Sequence, residues 1–388
     1  MPNRELPPLS LYLHMPWCVR KCPYCDFNSH TAGPAAPKDR YVDALLLDLE
    51  AEAASGRAAG RAVDSIFIGG GTPSLFSATQ IGRVLDAARA VFAIGAGAEI
   101  TMEANPGTVE CGDLPGYRQA GVNRLSIGAQ SFDAGTLLAL GRIHGPAEIV
   151  RTYNAARAAG FDAINLDLMF ALPGQGADLA RADIEQAIQL GAPHISYYQL
   201  TLEPNTVFHS RPPPGLPDDE TSWEIQQLGH GLLQAAGYEQ YEISAFAKPG
   251  QRCRHNLNYW KFGDYLGVGA GAHGKFTSAD GRIWRYAKPA NPQGYMQQAE
   301  RRQFAAAAQA VSESELCFEF MLNVLRLPEG FSTDEFRRQT GLPLSAVEAG
   351  LGRAISKGLI VSADGRDWKP TPLGWRFLND LQAEFLPD

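Results

Sequence analysis

Residues 14–30 read HMPWCVRKCPYCDFNSH, and this stretch decides the fold. Three of the chain's six cysteines, Cys18, Cys22 and Cys25, fall within eight positions of one another, whereas Cys111, Cys253 and Cys317 are scattered singly. Thiols this close admit three chemistries. A zinc knuckle pairs a near C-x-x-C with a second ligand pair, which Cys111, or Cys253 with His255, can supply. A redox C-x-x-C uses Cys22 and Cys25 and leaves Cys18 without a task. An iron-sulfur cube uses all three thiolates and leaves one iron open to a small molecule.

Composition narrows the setting. The 388 residues, 45% hydrophobic and 20% charged, supply core for two or three soluble domains. No run of about 18 uncharged apolar residues occurs and the N-terminus carries no leader pattern, so the expectation is a cytoplasmic protein with no transmembrane segment, at most transiently membrane-associated. In a reducing compartment, clustered cysteines point to metal or redox chemistry rather than disulfides. A net charge of −8 argues against nucleic acid as a partner.

Downstream of the cysteines the chain alternates helical and strand-like segments. KDRYVDALLLDLEAEAAS and SATQIGRVLDAARAVF have helical spacing. VDSIFIGGG, AEITMEANP, VNRLSIGAQSF, DAINLDLMFALPG and HISYYQLTLEP read as strands two to six, after LSLYLHMP as strand one. The pattern predicts an α/β fold, a partial (β/α)6 TIM-like barrel with chemistry at the C-terminal strand ends. Polar residues gather there: the loop GGGTPS (Gly69–Ser74), then Glu103, Gln130, Arg142 and Asp167. The proline-rich SRPPPGLPDDE and the alanine-rich stretch around 300–312 mark boundaries. The expected units are a barrel core at 1–215, an extension at 216–305 and a smaller, mainly helical, winged-helix-like domain at 306–388. That last unit has too few basic residues for a DNA reader and suits a lid or docking module.

C-x-x-x-C-x-x-C after a hydrophobic strand resembles the signature of the radical S-adenosylmethionine (SAM) superfamily. The resemblance implies a 4Fe-4S cluster on Cys18, Cys22 and Cys25, whose open iron binds the amino and carboxylate groups of SAM. Trp17, Tyr24 and Phe27 would stiffen and shield the cluster loop, and Tyr24 is placed in the cofactor set. GGGTPS is similar to the loop that receives the cofactor's amino group, implying roles for Gly70, Gly71 and Thr72. Tyr12, Glu103, Gln130, Arg142 and Asp167 resemble, in order and spacing, the SAM-binding set of the coproporphyrinogen-oxidase-like branch.

Two features choose within that branch. Its oxidases carry a further cysteine two residues after the third, where this chain has Phe27, and a longer segment before the cluster. RHNLNYW (Arg254–Trp260) resembles the H-N-x-x-Y-W motif of the haem-binding members, the HemW type of haem chaperone. That resemblance implies haem with His255 as an axial ligand, haem-recipient proteins, a flavodoxin- or ferredoxin-type reductant and a homodimer. The alternatives are an oxygen-independent coproporphyrinogen III oxidase or another radical transferase. GVGAGAHG (Gly267–Gly274) superficially matches a dinucleotide fingerprint, yet no amphipathic helix follows it. It reads as a close-packed loop near the site.

Overall fold

The structure, a computed structural model, describes residues 6–33, 35–108, 113–304 and 308–387. Cys111 and the expected boundary at 305/306 lie outside the described residues.

Strands β1 (Leu9–Met15), β2 (Val63–Gly70), β3 (Ile94–Ala104), β4 (Arg124–Gln130), β5 (Ala163–Phe170) and β6 (His194–Gln199) lie side by side in chain order, each neighbouring pair parallel. The intervals carry helices α1 (Lys38–Ala54), α2 (Ala78–Val91), α3 (Leu114–Ala120), α4 (Pro146–Ala158) and α5 (Ala177–Gln189). A capping box between Ser77 and Gln80 starts α2, and Gly121, at φ 110°, ends α3 in the left-handed region.

Alternation along the strands separates two faces. Leu9, Leu11, Leu13 and Met15 are fully buried in the core shared with Tyr41, Leu45 and Leu49 of α1. Ser10 and Tyr12, between them, meet Ser65 and Phe67 of β2. The inward face is polar across the sheet: Asn165 bonds the Ser126 hydroxyl, Asp167 and His194. The barrel interior is therefore a hydrogen-bonded lining rather than an apolar plug, with its apolar core outside, under the helices.

The expected six strands are present, and among the described residues their sheet continues to twelve. Beyond the proline-rich break come α6 (Asp219–Ala235), β7 (Glu239–Glu242) and β8 (Ala245–Ala247), which pairs antiparallel with β6. After α7 (Arg254–Trp260) the chain crosses to the opposite edge, where β9 (Asp264–Val268) runs parallel to β1 and β10 (His273–Thr277) and β11 (Ile283–Ala287) follow antiparallel. These strands are three to five residues long, too short for a clear periodic signal. The extension thus builds both flanks of the same sheet.

The C-terminal unit packs α8 (Glu313–Val324), α9 (Thr333–Thr340) and α10 (Glu348–Ser356) around Phe320, Phe331 and Phe336. The hairpin Ile360–Val361/Asp367–Pro370 and Phe331–Ser332 complete a three-stranded sheet. Among the described residues no helix is long and apolar enough to cross a membrane.

Candidate cluster and cofactor site

Cys18, Cys22 and Cys25 sit on the loop leaving β1, partly buried, as free thiols. A backbone bond from Cys25 N–H to the Cys22 carbonyl turns the loop over 3.2 Å, and Phe208 N–H donates to the Pro23 carbonyl at 3.0 Å. The GGGTPS loop leaving β2 is sewn to it: Gly71 N–H donates to the Met15 carbonyl at 2.6 Å and Thr72 N–H to the Trp17 carbonyl at 2.8 Å. A Cβ on Gly71 would stand 2.7 Å from the Trp17 carbonyl oxygen, so only glycine permits this approach. Gly70, at φ +108°, lies over the His14 ring and donates its N–H to Glu103 Oε2 at 3.1 Å. All three amides are used, and the Thr72 carbonyl accepts from Leu75 N–H at 3.0 Å, which leaves the Thr72 hydroxyl. That hydroxyl donates to Cys18 Sγ at 3.3 Å.

The strand ends converge on the same space. Cys18, Cys22, Cys25, Tyr24, Gly70, Gly71, Thr72, Glu103, Gln130, Arg142 and Asp167 all line one cavity of about 650 Å³, the size class of cofactor pockets. Arg142 donates Nη2–H to the Gly128 carbonyl at 2.8 Å and Nη1–H toward Cys22 Sγ at 3.8 Å. Its Nε is buried with no partner among the described residues. Gln130, at φ 68°, accepts from the Tyr198 hydroxyl at 2.7 Å.

Burial pushes the Glu103 carboxyl up to about 8, with Asp167 adding to the rise and the Gly70 amide opposing it. Burial likewise raises Asp167, against hydrogen bonds from Asn165, Ser126 and Ser196. Two desolvated acids in one cavity suit a cation, whose arrival would repay the cost of ionising them. Burial also raises the Cys18 and Cys25 thiols, a trend that a bound metal reverses.

Tyr12 and His255 lie outside this wall. The Tyr12 hydroxyl bonds His14 Nδ1 at 3.0 Å, and His14 Nε2 bonds the Asn28 carbonyl at 2.9 Å, so Tyr12 reaches the cluster loop through His14. His255 sits at the N-terminal end of the barrel, its Nδ1 3.0 Å from the Ser65 hydroxyl and its ring against Phe67. Burial lowers its pKa to about 4, keeping the imidazole neutral. Glu99 caps α7 by accepting from the Arg254 and His255 amides, each at 3.0 Å, and Asn258 donates to Ser10 Oγ at 2.8 Å. The motif helix is thus latched to the barrel floor.

Of the further ligands the zinc alternative names, Cys111 lies outside the described residues. Cys253 Sγ faces Glu99, about 13 Å along β3 from Glu103 at 3.3 Å per residue, and Cys317 is buried in the C-terminal unit. A larger cleft, about 1020 Å³, opens between the outer face of α7 and the C-terminal unit. It contains none of the cysteines or strand-end residues, and size alone does not put chemistry there.

Against known proteins, the Radical SAM superfamily model matches residues 12–187 and the HemN C-terminal domain model residues 311–377. The chain is 51% identical to the heme chaperone HemW of Escherichia coli, over 99% of this chain and 100% of that protein. The chain belongs to the HemW family. The Haemophilus influenzae HemW is 48% identical over 99% of both chains. The solved coproporphyrinogen III oxidase HemN of E. coli superposes with a TM-score of 0.83 at 24% identity, covering 98% of this chain and 91% of that one. That likeness establishes a shared fold.

Within this HemW-family chain, sequence reasoning passed over three groups. His14 lies beneath Gly70 and holds Asn28. Asn28 in turn donates to the Ala270 and Ala290 carbonyls at 3.0 and 2.9 Å, so the GVGAGAHG loop packs on the cluster loop. Glu242, Trp260 and Arg326 close the cavity's far end. A tertiary contact among residues 242, 260 and 326 has no local sequence signal; the Tyr259-Trp260 pair was the only visible hint.

Proposed function

We propose that this protein is a haem chaperone. It holds a 4Fe-4S cluster on Cys18, Cys22 and Cys25, binds SAM in the adjoining cavity, and binds haem for delivery to recipient haem proteins. One observation carries the reading. Three free thiols share a cavity wall with Gly70, Glu103, Gln130, Arg142 and Asp167, in a chain half-identical along its length to heme chaperones.

The donor set fits the cluster: three thiols, with Phe27 rather than a fourth in the loop. When bound, the cluster supplies an iron with an open position and a source of one electron. The chain's own residues then define the neighbouring site. Arg142, with its buried Nε unpaired, suits the cofactor carboxylate. Glu103 and Asp167 suit hydroxyls and positive charge, and Tyr24 and Met169 wall the cavity against water. Val19 and Phe27, 47% and 58% exposed, offer apolar contact at the mouth to a flavodoxin- or ferredoxin-type reductant.

His255 is proposed as the haem ligand, and its neutral imidazole is the ligating form. Its place under Ser65 means that ligation requires the first turn of α7 to lift from the Glu99 cap, while Trp260 at the other end of the helix stays on Arg326. The test is anaerobic reconstitution followed by haem titration and coproporphyrinogen turnover on the same sample. Stable haem binding without turnover is expected. Conversion of coproporphyrinogen would instead make the protein an oxidase.

A further inference from the structure

The far end of the cavity joins three remote parts of the chain. The Arg326 guanidinium lies 4.2 Å over the Trp260 ring, and its Nη2 meets Glu242 Oε2 at 3.2 Å. The Arg326 carbonyl accepts from Ile243 N–H at 3.1 Å, which fixes the start of the arginine side chain on the barrel flank. Ser244 and Asn256 complete this part of the wall. Arg326 Nε and Trp260 Nε1 are both buried, and neither has a hydrogen-bond partner among the described residues.

Buried N–H groups are nearly always paired, and one left unpaired costs about 1–3 kcal/mol. Two such donors on stacked side chains, in the wall of one cavity, call for an oxygen acceptor. Glu242 engages one nitrogen of a guanidinium that carries five N–H donors in a fork suited to carboxylates. A carboxylate offers two oxygens, one for Arg326 Nε–H and one for the indole N–H.

We propose that Arg326 and Trp260 form a carboxylate subsite at the cavity end opposite the cluster, and that it receives a propionate group of the haem cargo. The choice of haem as the source of the carboxylate rests on the chaperone reading; the subsite itself does not. Because Arg326 lies two residues past the end of α8, an occupied subsite would also tie the cargo to the C-terminal unit.

The test uses the full chain in two arms. In the first, sodium propionate is titrated into ¹⁵N-labelled protein and the Trp260 indole resonance, assigned by its loss in Trp260→Phe, is followed against matched sodium chloride. A saturable shift with propionate alone is expected, weakened about tenfold or more in Arg326→Gln, the scale of a charge-involving hydrogen bond. Because that variant strands Glu242, the double variant Arg326→Gln/Glu242→Gln is measured beside it and should behave the same way. An indole resonance that propionate leaves in place through the millimolar range overturns the subsite. In the second arm, haem and its dimethyl ester are compared. Preference for the free acid in wild type, lost in the double variant, assigns the carboxylate to haem. Equal binding of acid and ester overturns the assignment to haem while leaving the chaperone reading intact. Propionate binding without any haem binding leaves the subsite standing and removes that reading.

Discussion

The Thr72 hydroxyl donates to Cys18 Sγ over 3.3 Å, so the loop after β2 bonds the first cysteine of the loop after β1. A hydrogen bond to a cluster thiolate stabilises the reduced, more negative state. Thr72→Val should keep full iron and sulfide content and lower the cluster midpoint potential by on the order of tens of millivolts. Anaerobic redox titration reads this, and an unchanged potential would place the Thr72 hydroxyl elsewhere once the cluster is bound.

Gly71 offers a steric test of the same junction. Its Cβ position lies 2.7 and 2.8 Å from the Trp17 and Met15 carbonyl oxygens, whereas a Cβ on Gly97 meets nothing within 4 Å. Gly71→Ala should force the two loops apart and reduce the cluster retained after gel filtration, and Gly97→Ala should leave it unchanged. Equal retention in the two variants would show that the loops do not need this contact.

Much of this was legible in the chain because its signals are local. The cysteine spacing, the glycine run and six alternating strand-helix units each occupy contiguous residues, and the strands lie where those patterns put them. What stayed hidden depends on residues distant in sequence. LHM in β1 gives no sign that His14 supports Gly70, 56 positions on. HNLNYW reads as a ligand motif, while its capping by Glu99 and its bond to Ser65 are tertiary. The polar barrel lining was masked because strands such as NLDLMF look like apolar runs until their faces are separated.

Glu103 carries a pH signature. Its folded pKa of about 8 lies above its ordinary 4.5, so folding takes up a proton between those values and stability falls as pH rises through that window. A cation in the cavity favours the ionised form, so binding SAM at pH 7 should release a proton. Affinity should climb with pH toward 8, by up to about tenfold per unit, and level off above it. Calorimetry in buffers of different ionisation enthalpy measures the release. Glu103→Gln should abolish it and weaken binding by about 1.5–3 kcal/mol with cluster content unchanged. The same proton release in wild type and variant would assign it to another group.

For His255 the structure adds a requirement. Since the imidazole faces Ser65 and Phe67 beneath a capped helix, haem ligation should loosen the first turn, residues 254–257. Hydrogen exchange should quicken there on haem loading, and His255→Ala should shift the Soret band and lower haem affinity. Exchange that slows in this helix while the Soret band shifts would mean that His255 is reached without the helix lifting.

The most direct measurement of the account is electron paramagnetic resonance on anaerobically reconstituted, reduced protein with and without SAM, because it reads cluster and cofactor cavity together. Wild type should show a cluster signal that changes on adding SAM. Cys18→Ser, Cys22→Ser and Cys25→Ser should each lose the cluster, and the triple serine variant at Cys111, Cys253 and Cys317 should match wild type. A cluster signal indifferent to SAM, or one lost in the triple variant and kept in the single ones, would contradict the site described.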